Sequence, residues 1–308
     1  MIVRTLGRGD VDAVVTRVAE RLTSEARRHP LVSPRFDARA FARALSGARA
    51  QTWVAQRTGV VAGHLYGAVL DSPEHGRAAW VGPDGVSFDD ASVLAALYQR
   101  AAASWSERGA HSHFAWVFDD PTDTAPWYEL GFTRAHVRGV LALHDARAAS
   151  WPEGYRVRRG EATDIDVALE LEQILDDAQL AHARARAASS DPARREEWRS
   201  TLADPDVSHY VVEYAGCGVA QAITFELDSR RGSFDRTIHV SAAVVRPAHQ
   251  HRGVARALVG HVIHEARANG LDYAEVNWRV ANSRANAFWR AYGFRVTYVR
   301  LERNAVEP

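Results

Sequence analysis

The chain contains no lysine, and its charges balance. Its 38 basic side chains other than histidine are all arginine, and 38 acidic side chains bring the formal net charge to zero. No basic run stands out along the chain, so the usual electrostatic attraction to nucleic acid is missing. The sequence therefore predicts no nucleic-acid partner.

Cysteine and long apolar runs are scarce as well. The single cysteine, Cys217, excludes an intrachain disulfide, and its glycine neighbours indicate a turn between strands rather than a nucleophile. No apolar stretch approaches the length of a membrane span, and residues 1–4 lack the apolar core of a signal peptide. We expect a cytoplasmic protein that makes no membrane contact.

Length and composition predict two globular domains. The chain has 308 residues, of which 46% are hydrophobic and 25% are charged. Residues 125–132 match residues 287–294, and residues 3–12 match residues 157–166 at nearly the same offset. Such self-similarity indicates a tandem repeat. The predicted boundaries are a first domain over 1–144, a linker over 145–154 and a second domain over 155–308.

One turn in the second half has the composition of an anion-binding loop. Residues 250–255 read Q-H-R-G-V-A and lie between an apolar run, 238–245, and a segment with apolar residues at helical spacing. A helix that begins here leaves its first N–H groups free and directs its positive dipole end at the turn. Gly253 and Ala255 allow close approach, and Arg252 supplies a charged fork. The turn is predicted to hold a pyrophosphate.

The segments after this turn support a family resemblance. A strand is predicted over 273–278, and residues 282–294 read N-S-R-A-N-A-F-W-R-A-Y-G-F. The turn resembles the acyl-CoA loop Q/R-x-x-G-x-G/A of the GNAT superfamily of N-acyltransferases, and the later segment is similar to its N-x-x-A-x-x-x-Y-x-x-x-G-F pattern. The resemblance implies an α/β (α+β) fold with two tandem domains, each with a mixed, mostly antiparallel twisted sheet flanked by helices.

The resemblance also implies a cosubstrate and its binding residues. Acetyl-CoA is the expected cosubstrate, with Asn282 matching the asparagine that reaches the pantetheine arm. The residues expected to bind it lie at the end of a central strand, in the loop and at the second motif: Ala243, Val244, Val245, Gln250, His251, Arg252, Gly253, Val254, Ala255 and Asn282.

Direct attack of an amine on the thioester, as the resemblance implies, requires a base. His239 lies where some family members carry a catalytic carboxylate, and strand alternation predicts that it shares a face with Ser241 and Ala243. Imidazole titrates near neutrality and suits proton transfer, although a lone histidine in a strand is often structural. Glu226, in the preceding predicted strand, is the rival base.

The general acid of the family is missing at its usual position. Trp289 stands where the family's tyrosine is expected, and indole is a poor proton donor to a thiolate. Tyr292, later on the same predicted helix, is the remaining candidate acid, although packing suits it equally. Alternatively, the thiolate leaves without an acid or with help from backbone N–H groups.

The first half lacks the phosphate loop. Residues 82–90 read G-P-D-G-V-S-F-D-D and place carboxylates where phosphates would lie, so the first domain is expected to bind no cofactor. Histidine pairs at 111 and 113, 249 and 251, and 261 and 264 have spacings that zinc can use, but no cysteine or carboxylate completes them. No metal is expected.

The acceptor is the least defined part of the prediction. The resemblance places it near residues 174–198, where Asp176 and Asp177 either attract a cationic amine or form an exposed helix face. We expect a small-molecule amine and a monomer or homodimer. Two alternatives stay open, a thiol-pathway acetyltransferase resembling mycothiol synthases and a non-catalytic acyl-CoA-binding regulatory module.

Overall fold

The protein is described from a computed structural model over residues 1–47, 50–72, 75–110, 112–146, 150–180, 192–227 and 233–304. It divides into two compact units. Unit 1 comprises Met1–Arg138, Arg230–Phe234 and Val296–Pro308, and unit 2 comprises Gly139–Ser229 and Asp235–Arg295.

The elements follow one another in the same general order in both halves of the chain. The first half contains β1 (Ile2–Thr5), α1 (Val11–Arg28), α2 (Ala38–Leu45), β2 (Ala50–Arg57), β3 (Val60–Ser72), β4 (Gly76–Val81), β5 (Val86–Phe88), α3 (Ala91–Glu107), β6 (Ser112–Phe118), α4 (Pro121–Glu129) and β7 (Thr133–Ala142). The second half contains β8 (Tyr155–Arg159), α5 (Ile165–Leu180), α6 (Pro192–Ala203), β9 (Val207–Tyr214), β10 (Cys217–Leu227), β11 (Thr237–Val245), α7 (Val254–Ala268), β12 (Tyr273–Arg279), α8 (Ser283–Tyr292) and β13 (Arg295–Asn304).

The two units have the same strand order. In unit 1 the order is β1-β2-β3-β4-β6-β13, with β5 paired to β3, and in unit 2 it is β8-β9-β10-β11-β12-β7. The pairs β4 with β6 and β11 with β12 are parallel. The pairs that precede them in each sheet are antiparallel. The predicted mixed, mostly antiparallel sheets in a tandem arrangement are thereby confirmed.

Part of the last strand of each half belongs to the unit that the other half mainly forms. Val296–Pro308 belong to unit 1, where β13 pairs antiparallel with β6, and Gly139–Ala142 belong to unit 2. The compact units therefore have other bounds than the predicted domains 1–144 and 155–308. Both end strands follow a Gly-Phe pair, and this shared motif does not show which sheet each strand completes.

The core of unit 2 lies on both faces of its sheet. On one face, α7 buries Val254, Leu258 and Val262, the residues whose helical spacing predicted it. On the other face, Ile165 of α5 and Trp198 of α6 pack in one cluster, together with Ile223 of β10. This arrangement holds the carboxyl end of β11 and the start of α7 in fixed positions.

The end of β7 packs tightly within unit 2. A Cβ atom at Gly139 would lie 2.4 Å from the ring of Trp278 on β12, so only glycine fits. The backbone N–H of Leu143 donates to the carbonyl of Asp272 at 2.7 Å. These contacts hold the end of β7 in place within unit 2.

Among the described residues, no helix combines the length and the apolar character required to cross a membrane.

Candidate functional site

The site begins where β11 separates from β12. The two strands pair in parallel from Thr237 to Val240 and from Tyr273 to Val276, and the pairing covers no later residue of these described strands. Between β10 and β11 the register shifts, so that Ser241 is an extra residue without a partner on β10. The end of β11 therefore leaves a gap in the sheet and exposes backbone groups there.

The bulge at Ser241 also changes which side chains share a face. His239 pairs with Phe225, and Ala243 pairs with Ala222. Since Phe225 and Ala222 are separated by an odd number of positions on β10, they point to opposite faces. The predicted common face for His239, Ser241 and Ala243 is therefore wrong, because the extra residue interrupts the alternation.

A cavity of about 450 Å³ opens at this gap. The predicted cofactor residues that line it are Ala243, Val244, Val245, Gln250, His251, Gly253, Val254, Ala255 and Asn282. Arg252 is exposed and lies outside the lining. The structure thus brings together all but one of the residues that the sequence grouped as cofactor-binding.

Sequence reasoning missed much of the apolar wall of this cavity. The additional lining residues are His249 and a set from α5, α7 and α8: Ile174, Leu175, Ala178, Arg256, Leu258, Arg284, Ala285, Phe288, Trp289 and Ala291. The helical spacing of the apolar residues in α5 and α8 was the available signal, but spacing does not show which helix faces a sheet gap.

The start of α7 is open to an anion. Gly253 occupies the N-cap position at φ +84°, and no side chain caps the helix there. His251, two residues earlier, has φ +62°. Left-handed backbone within such a turn directs consecutive N–H groups toward one side, and the helix dipole adds partial positive charge. The predicted turn therefore has the backbone that an anionic group requires.

Gln250 braces this turn. Its side-chain amide nitrogen donates to the carbonyl of Val245 at 3.0 Å, which closes the turn onto the end of β11. Arg284 of α8 donates to its amide oxygen at 3.3 Å. Gln250 therefore stabilises the conformation of the loop and connects the loop to α8.

Asn282 begins α8. Its side-chain oxygen accepts the backbone N–H of Ala285 at 3.0 Å, and its side chain lines the cavity. With the oxygen used as a helix cap, the side-chain NH₂ is the group that can donate to a ligand.

His239 lies beside the gap but does not line the cavity. Its Nδ1 atom is buried and lies 3.6 Å from Oε1 of Glu275, while 12% of the side chain is exposed. Its ring packs against that of Phe225, with 5.0 Å between centroids. Gln221, on the same face as Phe225, donates to the carbonyl of Ala168 on α5. His239 thus faces the side of the sheet that α5 and α6 cover.

Glu226, the rival base, is exposed and pairs with Ile238. As the neighbour of Phe225 on β10, it points to the opposite face from His239. The structure does not bring the two candidate bases together, and Glu226 is absent from the cavity lining.

The two aromatic residues considered for the acid have different positions. Trp289 is buried and lines the cavity, whereas Tyr292 is outside the lining. The hydroxyl of Tyr292 is buried with no hydrogen-bond partner among the described residues. Burial raises the pKa of Tyr292, opposed by the charge of Arg256. The structure places Tyr292 in packing with Phe288 and Phe294 rather than at the cavity.

His249 and His261 contact different residues. His249 bonds through Nδ1 to the hydroxyl of Tyr155 at 2.9 Å, and His261 lies 3.0 Å from Glu265. His111 is outside the described residues. Within the part of the chain that is described, no group of three or more histidine, cysteine, aspartate or glutamate side chains is placed to hold a metal.

The acidic pair on α5 is occupied by intramolecular contacts. Asp176 is buried and accepts from Arg194 at 3.2 Å, and Asp177 accepts from Gln173 at 2.7 Å.

Cys217 is exposed and pairs with Tyr214 across a strand turn, as its glycine neighbours predicted.

The corresponding helix start in unit 1 is closed by its own carboxylate. Asp90 caps α3 by accepting the N–H groups of Ser92 and Val93 at 3.0 and 3.2 Å. Arg57 forms a bidentate pair with Asp90 and holds its pKa well below the usual range. An anion at α3 would meet this carboxylate, whereas α7 offers no such obstacle.

Comparison with known proteins agrees with this geometry. Residues 171–294 match the Acetyltransferase (GNAT) family. No curated protein matches the sequence. A GCN5-related N-acetyltransferase from Sphaerobacter thermophilus is 18% identical with a TM-score of 0.66, covering 99% of this chain and 96% of that one.

Two further solved structures share the fold over nearly the whole chain. A tandem GNAT protein from the clavulanic acid biosynthesis pathway is 17% identical with a TM-score of 0.57, covering 100% of this chain and 99% of that one. The glucosamine N-acetyltransferase region of a fungal multi-domain β-N-acetylglucosaminidase is 13% identical with a TM-score of 0.60, covering 98% of this chain and 38% of that one. Residues 171–294 thus match the GNAT family, and nearly the whole chain has the fold of solved GNAT proteins, one of them a tandem form.

Proposed function

We propose that the protein transfers an acetyl group from acetyl-CoA to the primary amine of a small molecule, by direct attack within a ternary complex. The observation that carries this proposal is the uncapped start of α7 at Gly253, which lies at the cavity where β11 separates from β12. A pyrophosphate suits the free N–H groups of the helix, and an extended arm suits a gap between strands.

The residues present fit the cosubstrate. The loop 250–255 would hold the pyrophosphate, and the NH₂ group of Asn282 would donate to the pantetheine arm. The apolar wall that includes Leu258 and Phe288 would exclude water from the thioester end. Acetyl-CoA supplies the acetyl group as a thioester, and its thiolate is a good leaving group.

The proton of the attacking amine would pass to His239. Imidazole is suited to this transfer near neutral pH, and the residue lies on β11 only four positions before Ala243 of the cavity wall. Because His239 faces the side covered by α5 and α6, we propose that the amine enters from that side. Transfer through an intervening water suits a residue that does not itself line the cavity.

A non-catalytic acyl-CoA-binding module is the second candidate. It is favoured by Trp289 at the position of the expected tyrosine and by the buried hydroxyl of Tyr292. Direct attack of an amine on the thioester needs little help from a general acid. A thiol has a pKa of about 8.5, so it leaves readily as the thiolate. We therefore place this candidate second.

An acetyl-CoA turnover assay with a panel of amines tests the proposal. The panel includes glucosamine, a cysteinyl amino sugar that represents the thiol-pathway alternative, an amino acid and a short peptide. We expect thiol release with at least one amine in the wild type and none in Gly253→Glu. Binding of acetyl-CoA without turnover on any amine would instead favour the non-catalytic module.

The proposed reaction also fits the cytoplasmic location suggested by the sequence, since acetyl-CoA is an intracellular metabolite. We propose that one chain contains one complete site, because the residues of the cavity wall all belong to unit 2. A monomer or a homodimer satisfies this arrangement.

A further inference from the structure

Glu275 lies directly beside the proposed base. In the parallel register of β11 and β12, Glu275 is the Cα partner of His239, so the two side chains share a face. Oε1 of Glu275 lies 3.6 Å from Nδ1 of His239, and Glu275 is only 4% exposed. A carboxylate is thus held next to one particular nitrogen of the imidazole.

The imidazole is confined from two sides. Phe225, its partner on β10, packs against the ring, and Glu275 lies on the neighbouring strand β12. The Nδ1 atom is buried and has no hydrogen-bond partner among the described residues. A neutral imidazole carries its proton on one nitrogen, and the hydrogen-bond partner decides which one. A carboxylate beside Nδ1 favours the tautomer with the proton on Nδ1.

We propose that Glu275 is a positioning residue that keeps the proton of His239 on Nδ1 and leaves Nε2 as the atom that receives the amine proton. This inference rests on the proposed function. The 3.6 Å separation exceeds a formed hydrogen bond, and such contacts commonly shorten when substrates bind. Glu275 acts only through His239.

In the proposed step one bond forms and one bond breaks at the acyl carbon. The amine nitrogen forms a bond to the acyl carbon, the bond between that carbon and sulfur breaks, and the sulfur leaves as thiolate. The amine proton moves to Nε2, so that His239 becomes an imidazolium with protons on both nitrogens. Glu275 stays ionised and stabilises this imidazolium, as a carboxylate does for a catalytic histidine elsewhere.

The first test replaces the carboxylate while keeping its shape. Glu275→Gln should lower kcat by about 10- to 100-fold and leave the KM for acetyl-CoA nearly unchanged, because the loop 250–255 is intact. Glu275→Asp, which retains the charge, should recover part of the loss. Glu213→Gln is the matched control, since this carboxylate pairs with Arg158 on the neighbouring strands, and it should keep the wild-type kcat.

A double-mutant cycle separates positioning from general structural support. In a His239→Ala background, Glu275→Gln should cause no further loss of kcat, because there is no imidazole left to orient. Independent, multiplicative losses would overturn the inference.

Nitrogen NMR of ¹⁵N-histidine-labelled protein gives a readout that does not require turnover. In the wild type, His239 should show the Nδ1–H tautomer, and Glu275→Gln should shift it toward Nε2–H, whereas Glu275→Asp should retain it. An unchanged tautomer in Glu275→Gln would overturn the inference even in an active enzyme. If no amine is acetylated by the wild type, the proposed function fails, and the NMR result still decides whether Glu275 orients His239.

Discussion

Arg158 and Asp164 form a bidentate ion pair, with distances of 2.6 and 2.8 Å. Arg4 and Asp10 form the same pair in unit 1, at 2.6 and 2.9 Å. In each unit the aspartate also accepts a backbone N–H from the turn before the first long helix. The matched motifs of the two halves therefore produce the same contact, which fixes the passage from first strand to first helix.

The first prediction concerns the anion site. Gly253→Glu should weaken acetyl-CoA binding by more than about 100-fold, or about 2.7 kcal/mol, because it places a carboxylate at the start of α7. Calorimetry should give one site per wild-type chain, since Asp90 closes the corresponding helix in unit 1. Gly270→Glu is the matched control. Like Gly253 it has positive φ, no atom lies within 4 Å of a Cβ added at Gly270, and this variant should bind acetyl-CoA normally. A second site of similar affinity in Gly253→Glu would contradict this prediction.

The second prediction compares the candidate base and acid. His239→Ala should lower kcat by about 10² to 10⁴ with little change in the Kd for acetyl-CoA. Tyr292→Phe should keep kcat within about twofold, because the Tyr292 hydroxyl is buried away from the cavity lining. Steady-state kinetics and calorimetry on both variants provide the comparison. If Tyr292→Phe is the more damaging change, the assignment of roles is wrong.

The third prediction separates two tasks of Asn282. Asn282→Asp keeps the oxygen that caps α8 but loses the NH₂ donor, whereas Asn282→Ala loses both. The aspartate variant should retain wild-type thermal stability and lose about 0.5 to 1.5 kcal/mol of acetyl-CoA binding. The alanine variant should also lose about 1 kcal/mol of stability. Equal affinity in wild type and Asn282→Asp would show that the NH₂ group does not bind the cosubstrate.

The fourth prediction follows from the exchanged strands. If the chain is cut by a protease at a site introduced between Ala146 and Ser150, the two fragments should remain together on gel filtration. Each fragment carries a strand that completes the sheet of the other unit, β13 for unit 1 and the end of β7 for unit 2. Residues 155–308 expressed alone should fail to give a cooperative unfolding transition. Two separate, folded fragments would contradict the exchange.

The fifth prediction is a pH dependence of stability from His64. Burial lowers the pKa of His64 to about 3, with Arg21 acting in the same direction, whereas the ordinary value is 6.5. Between these values the unfolded chain binds a proton that the folded protein does not. His64 should therefore make the free energy of unfolding fall as pH decreases from 6.5, by up to about 1.4 kcal/mol per pH unit.

Denaturant unfolding between pH 7 and 4.5 checks this contribution. His64→Gln retains a polar group for Ser87 and should flatten the pH dependence. The exposed His264→Gln should behave like the wild type. An unchanged slope in His64→Gln would show that other groups determine the acid sensitivity.

Local sequence was sufficient to predict the repeat and the turn before α7. The glycine at position 253 and the helical spacing after it specify an uncapped helix start, which is a property of a few neighbouring residues. The carboxylates of residues 82–90 likewise indicated that α3 would not hold an anion, and Asp90 closes it.

Contacts between distant segments were decided by the tertiary structure. The extra residue Ser241 places His239 and Ala243 on opposite faces of the sheet, whereas alternation predicted a common face. Such a bulge depends on how β10 and β11 align. The pairing of Glu275 with His239 and the exchange of β7 and β13 also depend on strand partners, which periodicity does not specify. Which elements form, and where a helix start is left without a side-chain cap, follow from the local sequence, since these are properties of neighbouring residues. Only the packed sheets decided which side chains meet, because that depends on register between segments far apart in the chain.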